Sequence, residues 1–354
     1  MQFHIKTSFT YNNFTILVVC LVIIAKGQYP IPFRTRKSSP SAPMVLCLKT
    51  RKSRTLPGYK NFMKNFIVVT GGAGFVGSNL IELLLSKTKY KIISLDNYSS
   101  GLKNNHIKNL RVKYIKGNTS EIYSILSNYK KKIHSLFHFG EFSRIFQSFK
   151  NFDKCFKFNS LGTQAVFKFC LDNKIKLIYS ATSASLGNKG QDRNLSPYAF
   201  TKSKNLELLE NLKNWFNFKF EIIYFYNVYG PRQIKLGDMA TVIGIFEEQY
   251  KKNKLLTVVR PGTQTRRFTH IQDTVNICYE AWIKNKCTHY SISNKRSYSI
   301  KGVAKMFGSK IKLLKARSGE RYASSLTNMS LNNKIIRKYG KIHLKDYVTS
   351  FTKS

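Results

Sequence analysis

The sequence predicts a doubly wound parallel α/β sheet followed by a smaller C-terminal α/β part. Three observations carry that expectation. Apolar, β-branched runs alternate with helical patterns from residue 66 onward, as in a parallel sheet covered on both faces. The first run meets a glycine-rich turn and then an amphipathic helix. The polar residues of chemical interest come directly after the strand-like runs, where open sheets of this class bind ligands.

Phe66–Thr70 is the first strand. It runs into Gly71-Gly72-Ala73-Gly74-Phe75-Val76-Gly77, and Ser78–Ser86 continues as a helix with Leu80, Ile81, Leu83, Leu84 and Leu85 on its apolar side. Gly71, Gly74 and Gly77 serve a tight turn, a close backbone approach to a pyrophosphate, and close packing of helix on strand. The helix start, at Phe75 and Val76, then offers its N–H groups to the anion. The second strand, Lys91–Leu95, ends in Asp96, 19 residues beyond Gly77. A carboxylate there takes the adenine-ribose hydroxyls and repels a 2′-phosphate, which favours NAD over NADP.

Val112–Ile115 and Ser135–Phe139 read as further strands, Asp153–Asp172 as a helix and Lys176–Ser180 as a strand. Ser196-Pro197-Tyr198-Ala199-Phe200-Thr201-Lys202 then opens a helix reaching about Trp215. Tyr198 and Lys202, four apart, share one helix face. A phenol, with a pKa of about 10, is a poor base at neutral pH. An ammonium beside it, together with a positively charged nicotinamide, favours the phenolate. Tyr198 becomes a usable general base for an alcohol.

These motifs together resemble the extended short-chain dehydrogenase/reductase family, whose nucleotide-binding part is a Rossmann fold. Thr70–Gly77 (TGGAGFVG) has its glycine spacing, and Asp96-Asn97-Tyr98-Ser99-Ser100-Gly101 is similar to the ribose loop of its sugar-nucleotide epimerases. Phe137–Ser143 resembles its H-x-A-A segment, Asn159–Thr163 its N-x-x-G-T, and Tyr226–Arg232 its F-N-V-Y-G-P-R. Thr265–Asp273 resembles T-R-D-F-x-x-V-x-D, and Arg317–Glu320 resembles R-P-G-D. The resemblance spans roughly residues 63–350.

It implies a catalytic triad of Thr182, Tyr198 and Lys202. It implies NAD contacts from Gly71, Gly74, Phe75, Val76, Gly77, Asp96, Asn97, Ser99, Asn118, Thr119, Phe139 and Gly140, with Tyr198 and Lys202. It implies substrate contacts from Ser143, Thr182, Asn227, Arg266 and Arg317, the two arginines holding a diphosphate. Ser324 falls where UDP-galactose 4-epimerases gate pocket size, and a small residue there leaves room for an N-acetyl group. Departures are visible too. Asn118 replaces the usual adenine-side Asp, and Gly140-Glu141 replaces Ala-Ala, which puts a carboxylate of unassigned role near the nicotinamide. Arg267 and Gln272 stand where acids are usual.

Family dehydratases carry an Asp-Glu pair directly after the catalytic Thr, and decarboxylases a Glu two residues after it. Here Ser183 and Ala184 follow Thr182. The resemblance therefore implies rotation of a 4-keto intermediate and return of hydride, a 4-epimerisation of UDP-glucose/UDP-galactose or UDP-N-acetylhexosamine. A nucleotide-heptose 6-epimerase is the enzymatic alternative, because Gly237-Asp238-Met239-Ala240 after Arg232 also resembles that group. An RNA-binding relative without activity is the alternative of another class. Family members commonly form homodimers through helices corresponding to about 153–172 and 197–215.

Composition sets the outer bounds. The 354 residues hold 60 Lys+Arg against 17 Asp+Glu, for a formal charge of +43, with 42% hydrophobic residues. That apolar content excludes a disordered polycation. The basic residues are scattered rather than gathered in a tail, and no specific nucleic-acid partner is expected. Ten of them, and no acid, lie in residues 1–62. This segment contains the apolar run Phe14–Ala25, too short for a confident spanning helix, and a basic, Ser- and Pro-rich stretch, Phe33–Lys60. It reads as an upstream extension of a chain starting at Met63, as a targeting segment, or as a membrane anchor. The expected organisation is 1–62 as extension, 63–235 as the NAD-binding part with 266–284 returning to it, and 236–354 as mainly the substrate part. Six cysteines without a CxxC pair fit a reducing compartment, hence a cytoplasmic enzyme, and no metal site is expected. His134 and His138 read as core or loop histidines.

Overall fold

The computed structural model describes residues 8–11, 14–17, 64–186, 192–291, 293–294, 296–317, 319 and 339–354. The chain divides into two compact units, Met1–Tyr59 and Lys60–Ser354. In the first, Ser8–Tyr11 pairs antiparallel with Phe14–Leu17. The remainder of the apolar run 14–25 lies outside the described residues.

The second unit is built on a seven-stranded sheet. From one edge to the other its strands are His289–Ser291, Phe220–Phe225, Lys176–Thr182, Ile133–His138, Phe66–Thr70, Lys91–Asp96 and Val112–Lys116. All six pairings are parallel. Chain order reverses between Phe66–Thr70 and Ile133–His138, the switch point where such sheets bind dinucleotides. Their interior strands are buried along nearly their full length, which explains why they read as unbroken apolar runs.

Each face has its own core. On one, Leu136, Phe167, Phe169, Leu177 and Leu209 gather around the sheet. On the other, Leu80, Ile81 and Leu84 of the helix Phe75–Lys87 meet Ile271, Val275, Cys278 and Trp282 of the helix Ile271–Lys284. The helix Ile271–Lys284 thus covers part of this face. A third core joins Ile243, Phe246, Val258, Phe268, Val303 and Val348. It lies around a parallel pair, Leu256–Val259 with Ile311–Leu314, and a three-stranded sheet of Ser297–Ser299, Thr265–His270 and Asn227–Tyr229.

The helix read as Asp153–Asp172 is interrupted. Phe152–Phe156 and Thr163–Asp172 are α-helical, and Lys157–Gly162 is a π-helical turn. The wider turn carries Asn159, whose Oδ1 accepts the Phe142 N–H at 2.6 Å and whose Nδ2 donates to Thr201 Oγ1 at 3.2 Å. Widened turns of this kind often mark functional sites. Among the described residues no helix is long and apolar enough to cross a membrane. Cys155, Cys170, Cys278 and Cys287 are free thiols.

The glycines at the switch point are required by contact. Gly71 has φ +69°, and a Cβ on it would lie 2.9 Å from the Gly140 nitrogen. A Cβ on Gly77 would lie 2.1 Å from the Gly71 carbonyl oxygen, against rigid backbone. Gly77→Ala should therefore displace the helix from the first strand. Overpacking of this kind costs about 1–3 kcal/mol, and a lower thermal unfolding midpoint together with weakened NAD binding is the expected result. An unchanged midpoint and affinity would contradict the geometry.

Candidate active site

A cleft of about 400 Å³ opens at the switch point. Its nucleotide-side walls include Gly71, Gly74, Phe75, Val76, Gly77, Asp96, Asn97, Ser99 and Thr119. Gly74 is the N-cap of the helix Phe75–Lys87 and has no side chain to bond its first amides, whose N–H groups open on the cleft. Asp96 is buried. Its Oδ2 accepts the Ala73 N–H at 2.9 Å and its Oδ1 the Tyr98 N–H at 2.8 Å. Burial pushes its carboxyl upward, against the lowering effect of those amides.

Asn118 is not on the cleft wall, although Gly117 and Thr119 are. Its Oδ1 accepts from Asn97 Nδ2 at 3.1 Å, and it forms a capping box with Glu121. Sequence position suggested an adenine contact; the fold gives its carboxamide local partners.

On the reacting side the cleft brings together Thr182, Tyr198 and Lys202 with Phe139, Gly140, Ser143 and Asn227. Their placement follows from the chain. Thr182 ends its strand. Ser196 caps the next helix by accepting the Ala199 N–H at 3.1 Å, with Pro197 at the first position. Tyr198 therefore lies in the first helical turn and Lys202 one turn deeper. The Tyr198 N–H donates to Ser148 Oγ at 3.2 Å. Lys202 is buried at 3% exposure, and its Nζ donates to the Ser180 carbonyl and to Glu141 Oε2. It also lies 4.4 Å from the Tyr179 ring centre.

The sequence left Glu141 without a role. Its side chain is 3% exposed. Oε1 accepts from Thr163 Oγ1 at 3.0 Å, Tyr179 OH at 3.0 Å and Asn205 Nδ2 at 3.3 Å, while Oε2 holds Lys202. Arg144 also lines the cleft, with its Nη2 on the Met239 carbonyl at 2.6 Å. Nothing in the spacing of the sequence singled it out.

The two diphosphate candidates are not among the cleft-lining residues. Arg266 is buried on Thr265–His270, on the same strand face as Phe268, which does line the cleft. Arg317 is exposed, its guanidinium 5.1 Å from the Phe146 ring centre. Ser324 lies outside the described residues. His134 and His138 are not part of any metal-binding group among the described residues.

Residues 67–293 match the NAD dependent epimerase/dehydratase family. The chain belongs to that family. Its members most similar to this epimerase/dehydratase include an uncharacterised UDP-glucose epimerase of Bacillus subtilis, 32% identical over 59% of this chain and 70% of that one. An ADP-L-glycero-D-manno-heptose-6-epimerase of Brachyspira hyodysenteriae is 29% identical over 60% and 70%. A crystal structure of UDP-glucuronic acid 4-epimerase from Bacillus cereus, with UDP-glucuronic acid and NAD, superposes with a TM-score of 0.72 at 26% identity, covering 81% and 98%. UDP-glucose 4-epimerase of Thermotoga maritima has the same fold, with a TM-score of 0.73 at 20% identity, covering 81% and 97%. The cofactor of the family is NAD, and the epimerase/dehydratase acts on nucleotide sugars.

His138 locks this site from behind. It is fully buried, with Nδ1 2.7 Å from Thr70 Oγ1 and Nε2 3.0 Å from Thr163 Oγ1. Burial pushes its pKa down to about 4. The unfolded chain protonates a histidine near 6.5, so between about 4 and 6.5 the unfolded state binds the extra proton. Stability should fall as pH drops through that window, by up to about 1.4 kcal/mol per pH unit from this group. Urea unfolding at several pH values checks it: His138→Gln should flatten the slope relative to the unsubstituted protein.

Proposed function

We propose that this family member is an NAD-dependent 4-epimerase of UDP-hexoses, with UDP-N-acetylhexosamines among its substrates. One observation carries the choice of reaction. The residues beside Thr182 on the cleft wall are Ser183 and Ala184. Among the cleft-lining residues the carboxylates are Asp96, held by backbone amides, and Glu141, held by Lys202. Both are already engaged, which leaves neither as a spare acid for removing water or assisting loss of a carboxyl group.

Each residue then has a role its geometry allows. The helix start at Phe75–Gly77 receives the pyrophosphate, and Asp96 the adenine ribose. Bound NAD supplies a hydride acceptor and donor that stays in place through the cycle. Tyr198 removes the proton from the sugar 4-hydroxyl and returns it after the keto-sugar has turned over. Thr182 orients that hydroxyl, and Lys202, one turn deeper, supplies positive charge behind the phenol. Asn227 lines the substrate end of the cleft. Arg266 and Arg317 are the proposed diphosphate ligands, since guanidinium binds phosphate bidentately. A homodimer is proposed through the helices around 153–172 and 197–215, which expose Leu161, Phe200, Trp215 and Phe216.

Gly237–Ala240 and the heptose-epimerase relative favour one rival, ADP-heptose as substrate. A panel of UDP-glucose, UDP-galactose, UDP-GlcNAc and ADP-heptose separates the readings. Inversion at C4 of the UDP-sugars is expected, and Tyr198→Phe should lower kcat by about 10²–10⁴-fold without loss of folding. Turnover of ADP-heptose alone would sink the proposal. Turnover of UDP-glucose without UDP-GlcNAc would remove its N-acetyl arm.

A further inference from the structure

Glu141 stands in the cleft wall where the resembling segment carries alanine, and both oxygens of its carboxylate are engaged. Its partners come from separate elements: Thr163 at the start of its helix, Tyr179 on the neighbouring strand, and Lys202 and Asn205 on the Tyr198 helix. Asn205 Nδ2 also reaches the Asn159 carbonyl at 2.7 Å and Tyr179 OH at 3.2 Å.

The bonds behind Glu141 have a direction. Thr70 Oγ1 accepts the N–H groups of Phe139 and Gly140, both at 3.1 Å. With both lone pairs taken, its own proton goes to His138 Nδ1. His138 is then the Nε2–H tautomer and donates to Thr163 Oγ1. Thr163 in turn donates to Glu141 Oε1. The chain that begins on the first strand therefore ends by orienting the carboxylate that grips Lys202.

We propose that Glu141 is a positioning residue for the reaction: it keeps the buried Lys202 charged and aimed into the cleft beneath Tyr198. The need is physical. An ammonium taken out of water loses its proton unless a partner compensates. Burial pushes Lys202 down, and Glu141 is the main influence raising it. The other lysine contacts, the Ser180 carbonyl and the face of the Tyr179 ring, carry no net charge. The other titratable groups facing the pair are His138, Cys155, Tyr179 and Tyr198. His138 is neutral above about 4, the Cys155 thiol is pushed up to about 11, and Tyr179 is raised well above the usual phenol range. His138, Cys155 and Tyr179 therefore supply no second anion at neutral pH, and Tyr198 is the base whose ionisation the lysine supports.

The inference rests on the proposed epimerase reaction for its kinetic arm alone. The direct arm follows the Lys202 ¹³Cε resonance against pH in full-length protein, the resonance being identified by its loss in Lys202→Arg. In Glu141→Gln the Lys202 titration should move to lower pH by about one to three units, the effect of an opposite charge at this range. The alkaline limb of kcat/KM should move with it. Glu141→Asp keeps the charge with a shorter reach, and should shift both by less. A Lys202 titration unmoved in both variants overturns the proposal, as does a moved titration with an unmoved alkaline limb. Should Glu141→Gln not fold, Glu141→Asp carries the same test. If the unsubstituted protein inverts none of the sugars, the proposed function fails, and the resonance alone still decides the role of Glu141.

Discussion

The close approach of two strand ends organises this molecule. Phe66–Thr70 and Ile133–His138 run side by side, and where their chains part, Gly71 and Gly140 come so near that neither tolerates a side chain without a shift. Thr70 closes the gap by accepting both the Phe139 and Gly140 amides. That contact opens the helix Phe75–Lys87 toward the cleft on one side. On the other it starts the segment that holds Phe139, Gly140, Glu141 and Ser143 against it. Two walls of the cleft, Gly71–Gly77 and Phe139–Ser143, are thus fixed by one junction.

The few acids of this chain show what the fold cannot give up. Exposed carboxylates contribute little to stability, so the fold constrains their number weakly. Buried ones are different, because their donors would be left unpaired. Glu221 is fully buried, accepting the Cys287 and Thr288 amides at 2.9 Å with Lys176 at 3.1 Å. Glu247 is 1% exposed, bound by Gln233, Tyr347 and Lys235. Asp96 and Glu141 belong with them. These internal carboxylates are fixed by their donors, whatever the charge of the surface around them.

The parts legible in the sequence were those encoded locally. Strand ends followed from unbroken apolar runs, the first turn from glycine spacing, and the Tyr198–Lys202 pair from a capped helix opened by Ser196-Pro197. The π turn was not legible, because Lys157–Gly162 has the composition of an ordinary helix. Glu141 was visible only as a departure from a familiar pattern. Its partners lie 22, 38, 61 and 64 residues away, and no local spacing announces a bond that the sheet order creates. Asn118 was legible by position, but its capping box with Glu121 is a local contact that the adenine-side reading did not foresee.

The substrate end is tied to the same junction by a longer route. Asn227–Tyr229 leaves the main sheet after Phe220–Phe225 and pairs in parallel with Thr265–His270, setting Asn227 opposite Phe268. Asn227 Nδ2 donates to the Arg267 carbonyl at 2.9 Å, so the side chain is held by the strand that carries Arg266. That strand passes directly into the helix Ile271–Lys284, which packs on the helix Phe75–Lys87. The strand bearing Arg266 is therefore covalently continuous with the support of the helix that opens at the glycine turn. The cleft walls that carry Asn227 and Gly74–Gly77 thus share one packed support.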